Sequence, residues 1–129
     1  MSVRNDRRRA CVVPVAIFLL ALSPATARAH WLKPEEIIAG LNQNPVLHDS
    51  VGLVQARTQA NLSRLLVVTV RRSTWDQVPP EKRLSLAQDW YDTWRHNVDQ
   101  GIVAIVDSKT EKSLVHFDGA GKAELVATP

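Results

Sequence analysis

Three stretches decide the fold: LLVVTV at residues 65–70, EKRLSLAQDWYDTWRHNV at 81–98 and IVAIV at 102–106. The first and third are uninterrupted runs rich in β-branched residues, which is typical of strands covered on both faces. The middle stretch repeats apolar residues every three or four positions and predicts an amphipathic helix. A strand, a helix and a strand in this order permit a parallel crossover. The predicted fold is a small α+β domain whose mixed sheet is covered by one long helix, 81–98.

The flanking sequence adds shorter elements. Residues 33–41, with Pro34 in the first turn, predict a short helix. A strand is expected near 51–57, followed by a polar connection that runs to Asn61, within a region that has the least clear pattern of the chain. After the third stretch, a strand over 113–117, a turn and a short edge strand at 122–127 are expected. The predicted order is α-β-β-α-β-β.

The aromatic residues divide into two groups. Trp90, Tyr91 and Trp94 fall on the apolar arc of the long helix, so they are expected in the core. Trp31 and Trp75 lie outside this arc and could line a groove. Gly101 is the expected stop of the helix.

The first 29 residues have the features of a signal peptide. Met1–Arg9 is basic, residues 10–22 are an uncharged run, and Ala27-Arg28-Ala29 fits the small-x-small cleavage pattern. The apolar run is shorter than the roughly 20 residues that a spanning helix needs. Cleavage after Ala29, export by the general secretory route and a periplasmic or secreted single domain of residues 30–129 are expected, with no stable membrane span after the leader is removed.

Charge and cysteine content narrow the function. The net charge is +3, but residues 1–29 hold five arginines and one aspartate, so residues 30–129 carry 11 basic and 12 acidic side chains. This balance argues against nucleic-acid binding by charge. The single cysteine, Cys11, lies in the leader. The mature domain therefore has no disulfide and no thiol chemistry.

Candidate catalytic residues are few. The sequence contains no P-loop, no H-E-x-x-H and no G-x-S-x-G motif. Asp107, His116 and Asp118 lie at the ends of the last two long strands, where polar groups could gather. They are the candidates for a hydrolase or a metal-dependent enzyme.

Metal binding has two candidate sites. Asp92 and His96 are four residues apart on the exposed face of the long helix, a spacing that could hold a metal. Cleavage after Ala29 would make His30 the first residue, so its amine and imidazole could bind copper together. A second imidazole would have to come from His48, His96 or His116. No other cofactor is indicated.

The motifs LVVTV (66–70), Trp94 late in a helix, GIVAIVD (101–107) and VHFDGAG (115–121) together resemble the TPM-type domains, over residues 65–121. The resemblance implies an exported α/β domain. Some members of that family are described as phosphatases and others as calcium-binding assembly factors of membrane complexes, so the resemblance implies one of these activities.

Three functional hypotheses follow. The first is a non-enzymatic accessory or protein-interaction domain with an envelope protein as partner, which small size, the lack of a catalytic constellation and two extended sheet edges favour. The second is a small TPM-like hydrolase or metal-dependent enzyme that uses Asp107, His116 or Asp118. The third is copper binding through His30.

Overall fold

The structure is a computed structural model that describes residues 32–127. The predicted signal peptide, His30 and Trp31 lie outside these residues. In chain order the elements are α1 (Pro34–Asn42), a π-helical turn (Leu47–Val51), β1 (Leu53–Gln59), β2 (Leu62–Val70), α2 (Arg72–Trp75), α3 (Pro80–Asn97), β3 (Ile102–Asp107), β4 (Val115–Phe117) and β5 (Ala123–Leu125). Within residues 32–127, none of the helices combines the length and the apolar character needed to cross a bilayer.

The central sheet consists of β1, β2 and β3 in that order. β1 and β2 are antiparallel, whereas β2 and β3 are parallel, with Val68 beside Ile105. The parallel pair requires a crossover, which α2 and α3 supply. The mixed sheet and the long helix of the sequence prediction are thus confirmed.

The C-terminal strands form a second sheet. β4 and β5 pair with each other, and a single bridge between Val106 and Ser113 joins this part of the chain to β3. The strand expected over 113–117 is therefore limited to Val115–Phe117. Ser113 still forms a bridge to Val106, but the chain then turns away from β3 and pairs with β5 instead. The side chain of Gln88 on α3 accepts the N–H of Ala123 and donates to the carbonyl of Gly121, so the small sheet is fixed to the helix.

The ends of α3 have specific causes. The helix begins at Pro80, whose fixed φ suits the first turn. It gives way to extended backbone at Val98, and the left-handed residue that follows is Gln100. Gly101 therefore does not act as the expected stop. A Cβ at this position would lie 2.7 Å from Cδ1 of Trp94, so glycine is needed for the close approach of the chain to the indole ring.

The tryptophans on α3 lie in the core, as predicted, but Trp75 corrects the prediction. Trp94 is fully buried and Trp90 is nearly so. Trp75 was expected to line a groove, yet only 1% of its surface is exposed. Its ring stacks on Trp90 with centroids 6.3 Å apart. The reason is that the chain forms the short helix α2 directly after β2, which brings the indole into the core.

The hairpin of β1 and β2 is longer than the sequence predicts. β1 continues to Gln59 and β2 already starts at Leu62, so the polar connection shrinks to a two-residue turn. Arg57 and Gln59, whose polarity suggested a connection, are exposed strand residues. Polar side chains that point to water do not prevent a strand from pairing.

Candidate functional site

A cleft of about 450 Å³ opens where β2 and β3 both end. Because these strands are parallel, Val70 lies beside Asp107 and the loops that follow them meet at the same edge. Ligand sites are common at the carboxyl ends of parallel strands. Three cationic side chains line the cleft, those of Arg71, Arg72 and Lys109. The other lining residues are Ser73, Asp76, Asp107 and Ser108.

Asp107 closes the turn at one side of this cleft. Its Oδ1 accepts the N–H of Lys109 (3.0 Å) and its Oδ2 accepts the hydroxyl of Thr110 (3.1 Å). The bond from Lys109 is the main cause that lowers the pKa of Asp107, and it outweighs the burial, which raises it. Asp107 is therefore an ionised side chain with both oxygens engaged by its own loop.

His116 and Asp118 line a different cavity, of about 290 Å³, between β4, α3 and the first half of β3. Oδ1 of Asp118 accepts the N–H groups of Ala120 and Lys122, both at 2.9 Å. The bond from Lys122 is the main cause that lowers the pKa of Asp118. His116 is exposed on β4. The structure thus brings two of the three catalytic candidates together and places Asp107 elsewhere, and the hydrolase hypothesis stays a prediction.

The metal candidates on α3 are both exposed. Asp92 and His96 lie four residues apart on the face that points to water, as the sequence indicates. Oδ1 of Asp92 accepts a hydrogen bond from the amide of Gln88. In the part of the chain that the structure describes, no three side chains of the metal-ligating types come together.

His48 has a structural role. Its Nδ1 lies 2.7 Å from the carbonyl oxygen of Leu53, and its Nε2 lies 2.7 Å from that of Asn42. Both ring nitrogens thus face backbone carbonyl oxygens at hydrogen-bond distance, and a metal at either nitrogen would have to displace that carbonyl. His48 would have to break a bond to join His30. Since His30 lies outside the described residues, copper binding stays a prediction.

The central sheet has a second apolar face. Residues that lie side by side in a sheet share a face, and Leu65 pairs with Ile102, Val67 with Ala104, and Thr69 with Val106. The hydrophobic core contains the alternate residues of both strands, on the other face. Among residues 32–127, the core cluster and the side chains packed against it include none of Leu65, Val67, Ile102, Ala104 and Val106, although Val67 is itself buried, at 7% exposure. We call these five residues the second face.

Both edges of the sheet, which were expected to be extended and able to accept a partner strand, carry some hydrogen bonds from other parts of the chain. On β1, the side chain of Asn42 binds both backbone groups of Ala56: it accepts the N–H at 2.7 Å and donates to the carbonyl at 2.9 Å. On β3, the N–H of Leu114 donates to the carbonyl of Ile105. An added strand would have to displace these bonds.

Two features of the surface were missed by sequence reasoning, although the sequence carries a signal for each. Arg71 and Arg72 directly follow β2, and Lys109 follows β3, so a parallel pair must bring the three together. The run 65–70 predicts a strand with apolar side chains on both of its faces, and one of these two faces belongs to the second face.

Comparison of the chain with family models, with curated proteins and with solved structures finds no match. The TPM-type resemblance over residues 65–121 therefore stays a prediction.

Proposed function

We propose that this chain is an exported protein-interaction domain whose second face binds an apolar surface of an envelope protein. One observation carries the proposal. The parallel strands β2 and β3 have apolar side chains on both faces, and parallel pairs are normally covered on both. The described helices pack on one face alone, with the core.

The second face suits a helical partner segment. Its side chains form neighbouring rows on two adjacent strands, and helices are the elements that cover such parallel strands in α/β proteins. Ile102 is 37% exposed, Leu65, Ala104 and Val106 are half-buried, and Val67 between them is buried, so the exposed apolar area is concentrated on the other four residues. An amphipathic helix of the partner, laid along the strands, would remove this apolar area from water.

Polar residues border the second face on the β1 side. Gln55 lies beside Thr69 and Arg57 beside Val67, so both polar side chains lie at its margin. An apolar centre with a polar rim is the usual layout of a protein interface. The rim would orient the partner, since its polar groups need polar contacts.

A photo-crosslinking experiment in exporting cells tests the proposal. A photoreactive phenylalanine analogue replaces Ile102 in one variant and Val126 in a second. Val126, at 44% exposure, is a matched position outside the second face. We expect a discrete adduct with one envelope protein from position 102 alone. Adding Ala104→Glu to this variant should abolish the adduct, because a charge in the middle of an apolar interface is costly.

Thermal unfolding of the variant with Ala104→Glu verifies that it is folded. Equal adducts from positions 102 and 126 would contradict the proposal, and so would an adduct that survives Ala104→Glu in the folded variant. An adduct with the mass of two copies of this chain would show self-association and would also overturn it.

A further inference from the structure

We propose that the cleft at the carboxyl ends of β2 and β3 binds a tetrahedral oxyanion of the phosphate type. This site is separate from the second face, and its argument does not depend on the proposed interaction. Three positively charged side chains, Arg71, Arg72 and Lys109, meet in one cavity. The two carboxylates that line it, Asp76 and Asp107, leave an excess of one positive charge.

The carboxylates already have partners, which include Arg72 of the cleft itself. Both oxygens of Asp107 accept hydrogen bonds from its own turn. Asp76 lies 3.4 Å from Nε of Arg72 and 3.8 Å from Arg83. Lys109 lines the same cleft, and its charge acts on Asp107 across it, so its ammonium group brings three donors to the cavity.

The arginines keep donors for a ligand as well. Arg71 uses one N–H to bind the carbonyl of His48 (3.1 Å), and Arg72 binds Asp76 through Nε. Each guanidinium has five N–H donors, so most of them stay available. Guanidinium groups match the spacing of phosphate oxygens.

The serines favour phosphate over a carboxylate. Ser73 and Ser108 also line the cleft and add two hydroxyl donors. Five donor-bearing side chains exceed what the two oxygens of a carboxylate can use, whereas a phosphate group offers three or four oxygens. Charge-assisted hydrogen bonds of this kind are among the strongest in proteins.

The test is a titration followed by backbone amide NMR signals of the full chain, at constant ionic strength with chloride as reference. The probes are inorganic phosphate, glycerol 3-phosphate, and vesicles of phosphatidic acid in phosphatidylcholine. These three arms distinguish a free phosphate, a soluble monoester and a lipid headgroup. We expect a saturable shift of the Ser73 and Ser108 amides with at least one probe.

Lys109→Gln should raise the dissociation constant about tenfold, because one charged donor is lost. Lys112→Gln is the matched control, since it removes the same charge from the same loop but does not line the cleft. It should change the constant less than about twofold. Saturable shifts that Lys109→Gln weakens and Lys112→Gln spares support the proposal. Shifts that do not saturate, or equal weakening by both variants, overturn it.

Discussion

His48 holds three segments together with one residue. Its ring binds the last carbonyl of α1, at Asn42, and the first carbonyl of β1, at Leu53. Its own carbonyl accepts a hydrogen bond from Arg71, which follows β2. The carbonyls at the end of a helix have no partner inside the helix, so a side chain of this kind completes the end of α1. These contacts stabilise the fold, and copper binding at this position stays a prediction.

Trp94 is one of the largest fully buried side chains of the core. It is fully buried, and its indole N–H donates to the carbonyl of Arg64 at 2.8 Å. Trp94→Ala should lower the free energy of unfolding by about 3–5 kcal/mol, since the change removes a large buried aromatic ring. Chemical denaturation measures this loss.

Trp94→Phe is the control for the hydrogen bond. It keeps an aromatic ring but leaves the Arg64 carbonyl without this donor. Trp94→Phe should therefore lower the free energy of unfolding by about 1–3 kcal/mol, which is less than the loss expected for Trp94→Ala. A loss below about 1 kcal/mol for Trp94→Ala would show that the ring is not part of the core.

At the scale of the elements, the contact of α1 with β1 controls one edge of the sheet. Asn42→Ala should remove both hydrogen bonds to Ala56 and lower the free energy of unfolding by about 1–2 kcal/mol. The variant should also self-associate as its concentration rises, because the strand would expose unpaired backbone groups. Analytical ultracentrifugation measures this association.

Asn97→Ala is the matched control for the strand edge. Asn97 also binds a backbone carbonyl, that of Thr93, but it lies at the end of α3, away from β1. Its replacement should leave the protein in the association state of the natural chain. Equal association by the two variants would show that the edge is not the cause.

The elements that the sequence predicts well are those whose own side chains determine them. β2, β3 and α3 follow from apolar periods that leave one choice of structure. α2 and the π-helical turn could not be predicted, because they depend on contacts with distant residues. Gly52, for example, adopts a φ of 89° beside the side chain of Thr74, and its carbonyl accepts the N–H of Arg71. No local pattern specifies such a contact.

The candidate site residues show the same contrast between local pattern and distant contacts. The positions of Asp107, His116 and Asp118 at strand ends were visible in the sequence. Which cavity each lines was not, because the turn after β3 and the departure of β4 from the central sheet separate them. The second face, by contrast, follows from a strand pattern alone.

For the whole molecule, the two turn carboxylates predict a loss of stability in acid. The pKa values of Asp107 and Asp118 are lowered by hydrogen bonds that the folded chain supplies. A folded pKa below the unfolded value stabilises the protein above the unfolded pKa, which is about 4. The free energy of unfolding should therefore decrease as the pH falls from about 5 through the folded pKa values.

Urea denaturation at a series of pH values measures this dependence. The double variant Asp107→Asn, Asp118→Asn should be less stable at neutral pH and should lose less stability on acidification. Asp99→Asn, at an exposed position after α3, is the control, because it removes one carboxylate without touching either turn. An unchanged slope in the double variant would contradict the assignment.

The stacked indoles of Trp75 and Trp90 give the folded protein its own optical marker. Their ring planes are inclined by 27°, and transitions of rings this close couple, which produces a near-ultraviolet circular dichroism signal that neither ring has alone. Trp75→Phe would remove the coupling, and the fluorescence of the three remaining tryptophans, Trp31, Trp90 and Trp94, would still report unfolding. Following the two signals during unfolding would reveal whether the corner at α2 and the long helix separate in one step.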